Sequence, residues 1–141
     1  MISHFAVNWL AVVLATVASF AFGAVWYTTL SKRWMTALGK TRDQLDAGYT
    51  PFIWSVVVEL IMAYFLALLT PALVGEVNAW SGALIGAHMW LGFVITSLIM
   101  NHRYENMKWS LTVIDGLHLL GVLVVQGLVI GLFGSGVVPA V

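Results

Sequence analysis

The chain has 141 residues, of which 61% are apolar and 9% are charged, and its mean hydropathy is +0.96. So little polar surface excludes a water-soluble globule, and lipid is the expected solvent. The formal net charge of +0 with no basic tract excludes a nucleic-acid-binding surface, and the absence of cysteine excludes disulfides, thiolate metal sites and thiol catalysis.

Four continuously apolar segments are long enough to cross about 30 Å of hydrocarbon, which takes roughly 20 residues in a helix. The apolar residues do not alternate with polar ones, and four strands could not close a barrel, so helices are expected. The sequence therefore predicts an all-α integral membrane protein, a four-transmembrane-helix bundle that forms a single domain over residues 1–141. The predicted spans are about 5–30, 51–74, 81–100 and 110–133.

The first loop is predicted to contain a short amphipathic helix. Ser31 can cap its start, Trp34, Met35 and Leu38 share one face, and Gly39 can end it. We expect this helix to lie flat on the membrane surface.

The basic residues predict the orientation of the bundle. The first and third loops carry all of them, whereas the second loop and both tails have none: Lys32, Arg33, Lys40, Arg42, Arg103 and Lys108. The positive-inside rule then places both of these loops in the cytoplasm and both chain termini outside it.

Aromatic residues near the ends of the predicted spans are typical of interfacial anchors. On this interpretation the outer boundary is marked by Trp9 and Trp80, and the inner boundary by Trp26, Tyr27, Trp54 and Trp109. Trp90 is the exception, because it lies deeper in its span.

Small residues recur on three of the spans at helical spacing. Helices in lipid associate where small side chains let their backbones approach. The candidates are Ala11, Ala15, Ser19 and Gly23 in the first span, Gly82 and Gly86 in the third, and Gly127 and Gly131 in the fourth. They predict close packing within one bundle or between protomers, and because several helices carry more than one such face we expect a homo-oligomer, most simply a dimer.

Four ionisable residues within the spans are the sharper functional signal: Glu59, His88, Asp115 and His118. An unpaired charge at mid-bilayer costs at least about 2.5 kcal/mol. At 1.5 Å per residue, Glu59 and His118 lie roughly 12 Å from the inner boundary and Asp115 roughly 8 Å, so the three could meet. His88 lies about 20 Å from the inner end of its helix and would not reach Asp115.

Three interpretations of these residues stay open. The first is a proton or cation site in the inner leaflet, with His88 as a second station toward the outside. The second is metal coordination by Glu59, Asp115 and His118. The third is a hydrogen-bonded cluster, with at least one carboxyl protonated, that only fixes helix register. Glu59 is the deepest carboxylate and is expected to be the most functionally sensitive residue.

The sequence favours a small transporter or channel component that handles a proton, cation or small solute. A non-catalytic membrane scaffold or accessory subunit, which would bind another membrane protein, is the alternative, and a metal-dependent membrane enzyme is the third choice. No nucleophile elbow or phosphate loop is present, so no catalytic residue and no cofactor is assigned.

Several stretches together resemble a small bacterial membrane-protein family known as domain of unknown function 1761. They are Asn8–Ala11, Gly23–Tyr27, Trp34–Met35, Leu38–Gly39, Trp90–Phe93 and Ile114–Gly116. The resemblance covers essentially the whole chain and implies a four-helix protein of the bacterial cytoplasmic (inner) membrane. It implies no activity, so no catalytic residue is carried over from it.

Overall fold

The computed structural model describes residues 6–134, which form five helices and no strand. We label these helices α1 (Trp9–Thr29), α2 (Ser31–Leu38), α3 (Thr50–Leu73), α4 (Ala79–Tyr104) and α5 (Trp109–Leu132). A single 3₁₀ turn, Asp43–Leu45, lies between α2 and α3. The helices α1, α3, α4 and α5 are each long and apolar enough to cross a membrane, so the prediction of an all-helical chain with four such segments is confirmed.

Capping explains where two of these helices begin. The side chain of Asn8 accepts a hydrogen bond from the backbone N–H of Ala11 at 3.1 Å, so α1 starts at Trp9 rather than at the predicted residue 5, which lies outside the described residues. Asn78 and Ser81 form a reciprocal capping box, and α4 therefore starts two residues before its predicted span.

The helix α4 changes its winding in the middle, from α-helix to π-helix over Trp90–Val94 and back to α-helix at Ile95. The indole N–H of Trp90 donates to the carbonyl oxygen of Gly116 on α5 at 2.7 Å. This contact explains why a tryptophan is tolerated deep in the helix, since its polar atom has a partner.

The central element is α5, which packs against all four other helices. Its closest approach is to α4, where glycines of the two helices face each other. A Cβ on Gly82 would overlap the carbonyl oxygen of Gly127, and one on Gly131 would overlap that of Asn78. Only glycine lets the two backbones come this close.

The small residues of α1 face the bundle interior. Ala11, Ala15 and Ser19 are buried. One turn further along, Gly23 leaves room for an imidazole, because a Cβ there would lie 2.8 Å from Nε2 of His118.

The predicted amphipathic helix exists as α2, but its setting differs from the expectation. It follows α1 directly after Leu30, and Ser31 does not cap it. Gly39 ends the helix as predicted, with φ +72° and its N–H bonded to the carbonyl oxygen of Met35. At Trp34 the helix is bonded to the bundle, because the indole N–H donates a hydrogen bond to Asp115 on α5, and its position at the membrane surface stays a prediction.

One end of the bundle carries every Lys and Arg of the chain, in α2, in the α2–α3 connection and around the α4–α5 turn. We call it the basic end. Lys108 donates to the carbonyl oxygen of Thr36 at 3.4 Å, which joins the two basic segments.

Candidate functional site

A cavity of about 780 Å³ extends from the basic end into the interior of the bundle. It lies among α1, α2, α3, the α2–α3 connection and one residue of α5. Its lining residues are Phe20, Gly23, Ala24, Tyr27, Thr28, Ser31, Trp34, Met35, Arg42, Asp43, Leu45, Asp46, Phe52, Ser55, Glu59 and His118. Two of the four ionisable residues predicted from the sequence, Glu59 and His118, therefore line one cavity.

Glu59 lies at the inner part of this cavity and is 5% exposed. Its carboxylate accepts a hydrogen bond from the hydroxyl of Ser19 at 3.3 Å. The side-chain amide of Gln126 donates to the Ser19 oxygen at 3.0 Å and to the backbone carbonyl of Glu59 at 2.9 Å. Side chains from α1 and α5 thus hold this part of α3 in place.

Gln126 carries a polar atom without a partner. Its side chain is fully buried, and its amide oxygen has no hydrogen-bond partner. An unpartnered buried carbonyl costs roughly 1–3 kcal/mol. The Nε2 of the same amide makes two hydrogen bonds, and these fix the orientation in which the amide oxygen has no partner.

Asp115 lies behind the cavity wall rather than in it. One carboxylate oxygen accepts hydrogen bonds from the hydroxyl of Tyr27 at 2.7 Å and from the indole N–H of Trp34 at 3.1 Å. Both donors line the cavity. The carboxylate therefore joins α1 and α2 to α5.

His118 packs among aromatic rings on α1. Its imidazole is stacked on Phe22, with 6.2 Å between ring centroids and 9° between ring planes, and lies 4.7 Å from the ring of Tyr27. Asp115 and His118 lie three residues apart on one face of α5, and Tyr27 contacts both. Glu59 shares the cavity with His118 but bonds to Ser19 instead.

His88 lies apart from these residues. It is exposed on α4, its Nδ1 lies 2.7 Å from the carbonyl oxygen of Leu84, and it does not line the cavity. Nothing in its position makes it a second station of the same site.

The geometry gives no support to metal coordination. Within residues 6–134, no three His, Asp or Glu side chains are placed to hold a metal ion. Tyr27 and Trp34 already donate to one oxygen of Asp115, and Ser19 donates to Glu59.

Two aromatic residues near the basic end have roles that their position in the sequence does not indicate. Trp26 and Tyr27 were expected to anchor the chain at the interface, but both turn toward α5, where Trp26 donates to the carbonyl oxygen of Ile114 at 3.2 Å. Position near a span end does not distinguish an anchor from a residue that bonds to a neighbouring helix.

The end of α4 bonds to α5 through polar side chains. His102 is 8% exposed, and its Nδ1 lies 2.9 Å from the hydroxyl of Thr112, whereas Tyr104 and Glu105 beyond it are exposed. Arg103 donates to the same hydroxyl at 2.9 Å and lies over the ring of Trp109 at 3.8 Å. Thr112 therefore joins the start of α5 to the end of α4.

Residues 10–131 match the family model described as protein of unknown function (DUF1761). The match covers well over half of the chain, so the chain belongs to this family and the resemblance seen in the sequence is confirmed. Neither the search of curated proteins nor the search of solved structures found a match.

Proposed function

We propose that this member of the DUF1761 family is a small membrane transport protein whose cavity takes up a proton, a cation or a small solute at Glu59. The observation that carries the proposal is the cavity of about 780 Å³ that leads from the basic end to this buried carboxylate. A carboxylate that only fixed helix register would be expected to be sealed inside protein.

The charges along the cavity favour a positive occupant. Its lining includes the carboxylates of Asp43, Asp46 and Glu59 but one Lys or Arg side chain, that of Arg42. A cleft lined by excess negative charge concentrates cations. At its inner part, a proton or a cation would neutralise Glu59 and so remove the cost of a buried charge.

The proposed setting is the bacterial cytoplasmic (inner) membrane, with the basic end in the cytoplasm and both termini outside. The one-sided placement of every Lys and Arg supports this orientation. Reporter fusions at the C-terminus test it, because a fusion that is active only in the cytoplasm would contradict the orientation.

The transport proposal predicts a specific loss in Glu59→Gln. This variant keeps the size of the side chain and can still bond to Ser19, so it should be produced and fold normally. Cation- or proton-dependent flux into proteoliposomes should nevertheless be abolished, because the carboxamide cannot exchange a proton or neutralise a cation.

The matched control is Glu76→Gln, which removes an exposed carboxylate from the α3–α4 connection at the opposite end of the bundle. It should leave flux unchanged. If Glu59→Gln retains wild-type flux with the same pH profile, Glu59 is a packing residue and the proposal is wrong.

We propose further that two copies associate through the exposed face of α4, which carries His88, Gly92 and Thr96 at intervals of four residues. The hydroxyl of Thr96 is satisfied by the carbonyl oxygen of Gly92, but the second nitrogen of the exposed imidazole needs a partner that hydrocarbon does not offer. A Cβ on Gly92 would meet nothing within 4 Å, so another helix has room to approach.

Because the chain has no cysteine, single-cysteine crosslinking in membranes tests this association directly. Gly92→Cys should form a disulfide-linked dimer on oxidation. Ile61→Cys, on the exposed face of α3, is the control and should stay monomeric. Equal crosslinking of the two variants would contradict an α4 interface.

A further inference from the structure

Four aromatic side chains line the cavity, in two pairs. The rings of Phe20 and Phe52 are 6.5 Å apart at 64°, and those of Tyr27 and Trp34 are 5.4 Å apart at 68°. In a steeply inclined pair each ring keeps at least one face that its partner does not cover, although Tyr27 also has the imidazole of His118 at 4.7 Å. Such faces carry the negative part of the aromatic quadrupole and attract cations.

The second pair has a feature that strengthens this attraction. The hydroxyl of Tyr27 and the indole N–H of Trp34 both donate to the same oxygen of Asp115. A hydrogen bond to a carboxylate polarises the donor and pushes electron density back into its ring. Asp115 thus makes the aromatic wall more attractive to a cation without lining the cavity itself.

The size of the cavity argues against the smallest occupants. A volume of about 780 Å³ lies within the range of roughly 300–1,000 Å³ that is typical of sites for drug-sized ligands. A divalent cation such as Ca²⁺ takes several converging oxygen ligands, among them carboxylates. In the part of the chain that the structure describes, no three acidic or histidine side chains converge in that way.

The charge of the lining favours a cationic occupant over a neutral one, since three carboxylates face one guanidinium. We infer that the cavity binds an organic cation, an amine or quaternary ammonium compound, with its charged group against the aromatic wall and toward Glu59. This inference rests on the proposed function and deepens it by naming the class of solute.

The test is equilibrium binding of benzyltrimethylammonium to the full-length protein in lipid nanodiscs, measured by dialysis with a radiolabelled compound. Neopentylbenzene has the same shape without the charge, and potassium chloride supplies a cation without the aromatic and methyl surface. We expect saturable binding of benzyltrimethylammonium that neither neopentylbenzene nor potassium displaces at comparable concentrations.

Two variants locate the binding site. Glu59→Gln should weaken binding at least about 10-fold, since it removes the buried negative charge. Phe52→Leu should weaken it roughly 2- to 30-fold, which corresponds to the usual strength of a cation–π contact. Phe52 is exposed to 57%, so its loss should not unfold the protein.

Each variant has a control of the same chemistry outside the cavity. Glu76→Gln changes an exposed carboxylate, and Phe65→Leu changes a phenyl ring that is 49% exposed. Neither residue lines the cavity. Both should bind like the wild type. Equal loss in a variant and in its control would overturn the assignment of the site.

The outcomes separate this inference from the transport proposal. If neopentylbenzene displaces the cation, or if no binding is found at millimolar concentration, the inference is overturned, even where the flux attributed to Glu59 persists. If the cation binds in the predicted manner but no flux occurs, the inference stands and the transport function fails.

Discussion

Replacing Gly82 by alanine should separate the two most closely packed helices of the bundle. A Cβ at this position would overlap the carbonyl oxygen of Gly127 and would lie 3.3 Å from Cα of Gly131. The obstructing atoms belong to backbone, which cannot rotate out of the way as a side chain can. The axes of α4 and α5 must therefore move apart, and the neighbouring glycine contacts along the same seam would be weakened together.

The expected cost follows from this rigidity. Overpacking by one methyl group costs typically about 1–3 kcal/mol when side chains can adjust, so a clash with backbone should reach the upper part of that range or exceed it. Gly92→Ala is the matched control on the same helix, because its Cβ would meet nothing of its own chain within 4 Å and the assay uses dilute monomers, in which the proposed α4 contact between copies is absent. We expect this control to change the free energy of unfolding by no more than about 1 kcal/mol, the size of the propensity difference between glycine and alanine.

The assay is unfolding by sodium dodecyl sulfate in mixed micelles, followed by circular dichroism, with both variants compared to the wild type. Gly82→Ala should shift the unfolding midpoint to clearly lower detergent fraction, and Gly92→Ala should not. If both variants unfold at the wild-type midpoint, the α4–α5 seam is looser than the structure indicates and the reasoning is refuted.

Two further predictions use the same unfolding assay. Tyr27→Phe removes the hydroxyl that donates to Asp115 and should lower the free energy of unfolding by about 1.5–3 kcal/mol. The control Tyr104→Phe, at a tyrosine exposed to 89%, should have no effect, and equal losses in the two variants would contradict a structural role for the Tyr27 bond. Gly39→Ala should lower the free energy of unfolding by about 1–2 kcal/mol, because an alanine at φ +72° is strained. The whole effect comes from the backbone, since no neighbour lies within 4 Å of the new Cβ, and an unchanged stability would show that the end of α2 can adopt another conformation.

Much of the fold could be predicted because lipid restricts the choices so severely. Apolar length alone identifies the four long helices, and Gly39 identifies the end of α2. The π-helix of α4 could not be predicted, and neither could the bond at its first residue, where the indole of Trp90 meets the carbonyl oxygen of Gly116 on a helix that follows later in the chain. A local pattern contains no information about such a contact.

The site could be predicted in its charged residues but not in its shape. The free-energy cost of burying a charge identifies Glu59 from the sequence, because a carboxylate within an apolar helix is rarely tolerated without a function or a partner. The cavity beside it depends on how α2 folds back, which brings Trp34 to Asp115 and leaves space in front of Tyr27. The lining side chains lie on four helices and one connection, so their proximity is a property of packing and not of sequence spacing.

The distribution of contacts around α5 indicates how an occupied cavity could change the bundle. The facing glycines hold the backbones of α4 and α5 in direct contact, so the two helices cannot shift slightly apart without losing that contact. The contacts of α1 and α3 with α5 near the cavity include polar side-chain bonds at Ser19, Gln126 and Tyr27, which can lengthen or exchange partners. Neutralising Glu59 alters the charge of that network directly. We therefore expect α4 and α5 to behave as one rigid pair, and we expect solute-dependent movement to occur in α1, α2 and α3 against it.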